Sequence, residues 1–141
     1  GLAVALERAE AEREEHARRT AALRDRFIEG ILGRVPGVLL TGPDPRAGGN
    51  RLAPNASFCF PGVNGETVLV DLENRGVQVS SGSACSAGST EPSHVLTALG
   101  LSPEVASTAV RFSLGRDTTA QDVDTAIAAT ADVVAALQGR G

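Results

Sequence analysis

Hydrophobic and polar positions divide the chain into stretches of helical period, stretches of period two, and stretches with neither. Residues 2–33 read as one long helix. Its middle, Glu7 to Arg19, is densely charged, and Glu14/Arg18 and Glu15/Arg19 stand at the i, i+4 spacing that supports an exposed helix. Beyond it, Leu23, Phe27, Ile28, Ile31 and Leu32 form an apolar stripe at helical spacing. One end is therefore predicted to pack on the domain, and the other to be solvated or packed on a partner. At ~1.5 Å per residue the helix would run about 48 Å, more than a domain of this size needs, so a connector between domains is the economical reading.

Downstream the pattern shortens. Gly37–Thr41 is a strand candidate, 42–50 is loop by its Gly and Pro content, and Ala56–Phe60 is a second strand closed by Pro61-Gly62. Gly65–Arg75 has Val68, Leu69 and Leu72 on one helical face and Gly76 as its stop. Val77–Val79 is a strand candidate running into a Ser/Gly loop at 80–90. A short helix is predicted from Pro92 to Leu99, another turn from Ser102, and a half-buried strand where Val110, Phe112 and Leu114 alternate with Arg111 and Ser113. Thr118 and Gln121 offer a capping box for a last amphipathic helix that ends at Gly139.

These elements predict an α+β fold: a small, mainly antiparallel sheet of 3–4 strands covered by helices, with residues 1–36 as connecting helix and 37–141 as one small domain. A length of 141 residues suits that assignment. With only four Phe and no Trp or Tyr, the core is expected to be aliphatic, and stacking platforms for single-stranded nucleic acid are excluded. A net charge of −4 offers no broad positive field, so direct nucleic-acid binding is not expected. No apolar run approaches the ~20 residues that cross a bilayer. Two cysteines in dissimilar surroundings make no disulfide framework, which points to a reducing, cytoplasmic setting.

Two absences change the picture. There is no Met, even at position 1, as expected of a chain excised or processed from something longer. There is also no Lys, all 13 basic residues being Arg. A Schiff base to pyridoxal phosphate or to a carbonyl substrate needs a lysine amine, so this chain alone is no self-sufficient enzyme of that class.

The candidate chemistry lies in the loop Ser80-Ser81-Gly82-Ser83-Ala84-Cys85-Ser86-Ala87-Gly88-Ser89-Thr90. Read by composition alone, this is a linker or a phosphate-cradling turn, but it lacks both the Walker spacing and the dinucleotide glycine fingerprint. A free cysteine usually behaves as a small buried hydrophobe, yet Cys85 has no apolar company in sequence. A thiol on such a tether can collect a sulfur atom at one place and deliver it at another. Cys59, between Phe58 and Phe60, is expected to do no more than pack in core or sheet.

The Cys85 run, followed by Glu91-Pro92-Ser93-His94-Val95-Leu96 and by Val110-Arg111-Phe112-Ser113-Leu114-Gly115-Arg116, resembles the NifS/IscS-type cysteine desulfurases of the class V aminotransferase, fold-type I group. The resemblance reaches upstream through 55–62 into the first helix. It implies that L-cysteine is bound on pyridoxal 5'-phosphate, that the Cys85 thiolate takes its sulfur as a persulfide, and that alanine leaves. By motif position Arg111 binds the substrate α-carboxylate, a role that suits a guanidinium fork. It further implies that the cofactor is bound by a large domain absent from this chain, and that the parent is a homodimer passing sulfur to acceptor or scaffold proteins in iron–sulfur assembly or thiolation. Asp117 stands where related chains often carry an aromatic. No chemical role is assigned to His94 or Arg116.

Two other readings of the same residues compete with it, and a zinc site is a third. A stand-alone persulfide carrier without activity would use Cys85 in the same way. A cysteine hydrolase with His94 or His16 as base lacks any marked orienting residue or oxyanion hole. Cys59, Cys85, His16 and His94 show no zinc-ligand spacing, so no metal is expected.

Overall fold

The computed structural model describes residues 1–81 and 92–139. It opens with helix α1 (Leu2–Arg34), whose last third is pinned by Phe27, Ile28 and Ile31, all buried. Then come strand β1 (Leu39–Leu40), a 3-10 turn at Pro45–Ala47 and strand β2 (Asn55–Cys59). Helix α2 (Gly65–Glu73) leads to strand β3 (Ser80–Ser81). After the segment outside the described residues, two short helices follow, α3 (His94–Ala98) and α4 (Pro103–Ala106), then strand β4 (Ala109–Ser113) and helix α5 (Ala120–Gln138). The strands form one antiparallel sheet in the order β1-β2-β4-β3.

Period-two alternation decides what each face of the sheet meets. Ala56 and Phe58 on β2, with Val110 and Phe112 on β4, point into a layer built from α1, α2 and α5. The core there is not purely aliphatic, as composition led us to expect. All four Phe are buried, and Phe27 lies 4.7 Å from Phe112 and 6.0 Å from Phe58 between ring centroids. Four rings suffice because each falls at an inward position, and such pairs contribute about 0.5–1.5 kcal/mol beyond burial. Among the described residues, the opposite face is covered at one end only. There Cys59 and Ala109 pack under Leu96 of α3 and Ala106 of α4.

Several local expectations shift. The third strand is Ser80–Ser81 rather than 77–79. Val77 and Val79 do pack on the core, but Val77 is still tied back to Leu72 through its N–H, so ladder bonding begins only at Ser80. The capping box of α5 uses Thr119 and Asp122, not Thr118 and Gln121. A carboxylate suits the positive end of a helix better than an amide, and the Thr118 hydroxyl instead accepts from the Gly115 N–H at 2.8 Å. The Glu14/Arg18 and Glu15/Arg19 pairs do not form among the described residues. Arg19 turns to the domain and donates to the carbonyls of Thr118 and Arg116, while Arg116 pairs with Glu12. This clasp carries α1 onto the β4–α5 turn well before its apolar stripe begins.

Arg24 lies within the apolar stripe of α1 and is 5% exposed. It pairs with Asp25 at 2.8 Å and donates to the Leu52 carbonyl at 3.0 Å, which anchors the loop before β2. Arg51 in that loop donates to the Pro43 carbonyl and faces Asn55. Burial, reinforced by the nearby Arg24 charge, pulls the Arg51 guanidinium below its ordinary pKa.

Candidate active site

The part of the second sheet face that no described residue covers holds Arg111. On β4 the burial pattern alternates, so Val110 and Phe112 point into the helical layer and Arg111 is exposed on the other side. Antiparallel register sets Ser57 of β2 on one side of Arg111 and Ser80 of β3 on the other. Asn55 and Ser113 form the next rung on the same face. No apolar side chain and no carboxylate belongs to this group of five. Arg111 has no ion-pair partner among the described residues. A guanidinium with no carboxylate partner among the described residues, on a platform of hydroxyls and an amide, has donors available to an anion.

The other candidates scatter. Cys85 lies outside the described residues. His94 is exposed at the first position of α3. Arg116 is engaged by the clasp to Glu12. Cys59 is fully buried beside Ala109, and burial pushes its thiol above the ordinary value, with Thr108 pulling weakly the other way. Among the described residues no group of His, Cys, Asp and Glu is placed to hold a metal ion, and no helix is long and apolar enough to cross a membrane. A cleft of about 380 Å³ opens at the end of the helical layer between Phe27, Phe112, Val77 and Val123, with Asp117 on its rim. Arg111 is not part of its wall. Sequence reasoning missed Ser57, because only the register shows which strand residues stand beside Arg111.

A four-stranded antiparallel sheet layered with helices and entered by one long helix is the architecture of NifS-like proteins. A solved structure described as a NifS-like protein superposes with a TM-score of 0.77 at 26% identity, over 94% of this chain and 32% of that one. A NifS-like protein from Rickettsia africae shares the fold with a TM-score of 0.72, over 87% of this chain and 30% of that one. The chain belongs to the family described as Aminotransferase class-V, whose profile matches residues 1–126. It is similar to the cysteine desulfurase IscS of Clostridium botulinum, 43% identical over 124 residues, 88% of this chain and 31% of the relative. The cysteine desulfurase IscS of Methanosarcina thermophila is 42% identical and NifS of Azotobacter vinelandii 43%, each over 98% of this chain and 33% of the relative. The chain thus spans about a third of the length of the curated relatives it matches.

The family in general works with pyridoxal phosphate. The residues of this chain do not fit covalent tenure of that cofactor, because none of the 141 supplies a lysine amine.

Proposed function

We propose that this chain is the sulfur-carrying domain of a cysteine desulfurase, with Cys85 as the sulfur acceptor and Arg111 as the anchor for the substrate α-carboxylate. The observation that carries the reading is the 42–43% identity, over most of this chain, to relatives named cysteine desulfurase in three organisms. The same naming favours an enzyme over a stand-alone persulfide carrier. The exposed Arg111, on a sheet whose described strands carry no carboxylate, supports the second assignment. The bidentate fork of a guanidinium holds a carboxylate in one orientation, which fixes the substrate thiol relative to the attacking group.

In the proposed transfer the Cys85 thiolate bonds to the sulfur of L-cysteine as that sulfur leaves the substrate β-carbon. The electron pair of the broken bond stays with the carbon fragment, which takes up a proton and departs as L-alanine. The sulfur remains on Cys85 as a persulfide, and no net oxidant is required. In a homodimeric parent, pyridoxal phosphate would be held by residues outside this chain and would supply an electron sink for the carbon fragment. Sulfur then passes to acceptor proteins of iron–sulfur assembly or thiolation, in the cytoplasm.

The test uses the full-length protein containing this chain. Incubation with L-cysteine should yield alanine and a mass increase of about 32 Da on the peptide bearing Cys85. Cys85→Ser should abolish turnover and spare cofactor binding, whereas turnover at the wild-type rate in that variant overturns the assignment. The isolated chain should produce no sulfide.

A further inference from the structure

The half-face left open by the described residues holds more donors than a single arginine accounts for. Asn55, Ser57, Ser80, Arg111 and Ser113 all carry side-chain hydrogen-bond donors, and none is acidic, in a chain whose net charge is −4. A patch with this one-sided chemistry on an acidic protein selects anions.

Register and hydrogen bonding rank its members. Ser57 and Ser80 are the direct cross-strand neighbours of Arg111, where Cβ atoms sit about 4.5–5.5 Å apart. Asn55 is one rung away, with its Oδ1 toward Arg51. Of the two flanking serines, Ser80 has its proton committed, since its hydroxyl donates to the Ser81 carbonyl at 3.1 Å. The Ser57 hydroxyl bonds to nothing among the described residues. Its backbone is nevertheless held firmly, because the Ser57 carbonyl accepts from both the N–H of Thr41 at 2.9 Å and its hydroxyl at 3.0 Å. The side chain therefore sits half-buried on a fixed strand, beside the guanidinium, with a donor that no described residue engages.

We propose that Ser57 is a specificity residue: its hydroxyl donates to the same carboxylate that Arg111 binds. A carboxylate offers about four lone-pair sites. The arginine fork occupies two, and Ser57 takes a third, so that an uncharged isostere loses the charge and the geometry together. The assignment rests on the reading of this chain as a desulfurase domain only for the identity of the carboxylate, an α-amino acid.

The experiment measures binding of L-alanine and of L-alaninamide to the full-length protein containing this chain, beside L-cysteine turnover. Ser57→Ala removes one oxygen from a strand and should fold. It is expected to weaken L-alanine binding and raise KM for L-cysteine by about tenfold, as loss of a hydrogen bond to a charged group does, with kcat unchanged. Binding of L-alaninamide should not move. Ser57→Thr keeps the hydroxyl and suits a strand, so it should restore L-alanine binding. Unchanged L-alanine affinity in Ser57→Ala, equal loss for acid and amide, or failure of Ser57→Thr to rescue overturns the inference. Arg111→Ala separates the two ideas. If it impairs L-cysteine binding while Ser57→Ala does not, only the Ser57 role falls. If the protein does not desulfurate L-cysteine at all, the proposed function falls, and the alanine-against-alaninamide comparison still decides Ser57.

Discussion

Replacing Gly65 by Ala tests how tightly the start of α2 is pressed onto the sheet. A methyl group there would lie 2.9 Å from the Ala109 carbonyl oxygen, 3.0 Å from that of Ser107 and 3.1 Å from the Thr108 carbonyl carbon. All three are backbone atoms at the entrance to β4, so no rotamer change relieves the contact. Overpacking of this kind costs about 1–3 kcal/mol, against a helix-propensity gain of at most about 1 kcal/mol for Gly→Ala. Destabilisation wins. Gly33 in the last turn of α1 is the matched control, because a methyl there meets nothing within 4 Å. Gly33→Ala should stabilise by about 0.4–1 kcal/mol through the unfolded chain. In urea, with a slope of about 2 kcal/mol per molar, Gly65→Ala should lower the unfolding midpoint by up to about 1 M and Gly33→Ala should raise it slightly. If both variants move the midpoint in the same direction, the close approach of α2 to the 107–109 backbone is not what limits residue 65.

Further outcomes follow from the same geometry. Thr119→Ala should cost about 1 kcal/mol by removing the cap of α5, and Thr119→Ser should recover most of it in thermal unfolding. The Asp122 carboxyl is held below its ordinary pKa, chiefly by the Thr119 N–H and then by the Thr119 hydroxyl. Its contribution is therefore present at neutral pH and lost as pH falls through the ordinary and then the folded value, so Asp122→Asn should flatten the acid limb of a stability–pH curve. Arg24→Leu should destabilise by about 1–3 kcal/mol, because the Leu52 carbonyl loses its donor and Asp25 its partner, as measured by urea unfolding. Cys59, buried with its thiol pushed up, should resist iodoacetamide near neutral pH and react only on unfolding, as read by mass spectrometry.

Long periodic segments were legible in the sequence and short ones were displaced. The 2–33 helix appears as Leu2–Arg34, and the Val110/Phe112 alternation correctly put Arg111 on the outward side of β4. Amphipathic period is a property of a segment, so it survives without knowledge of partners. The start of β3 depends on which N–H groups are still occupied by the end of α2, a contact between elements that no window of residues contains. The cap at Thr119 over Thr118 depends on which hydroxyl the Gly115 turn recruits. Arg24 was hidden because its partners lie in the loop before β2 and on its own helix, and a charge within an apolar stripe looks like a break in the pattern. Ser57 was hidden for a related reason: its neighbour Arg111 is 54 positions away in sequence and one strand away in space.

The pairing of β3 with β4 acts as a ruler. Ser80 faces Arg111 and Ser81 faces Val110, and only these two rungs tie the strand before residue 82 to the sheet. A slip by one residue would advance the chain by about 3.3 Å and turn Ser80 from the open face to the helical layer. The chain toward Cys85 therefore leaves the sheet at Ser81, one residue after the rung that Ser80 shares with Arg111. On the roles proposed for Cys85 and Arg111, an insertion or deletion between Gly76 and Ser80 that shifted this register would change the number of residues between the Arg111 rung and the proposed sulfur acceptor without touching either residue.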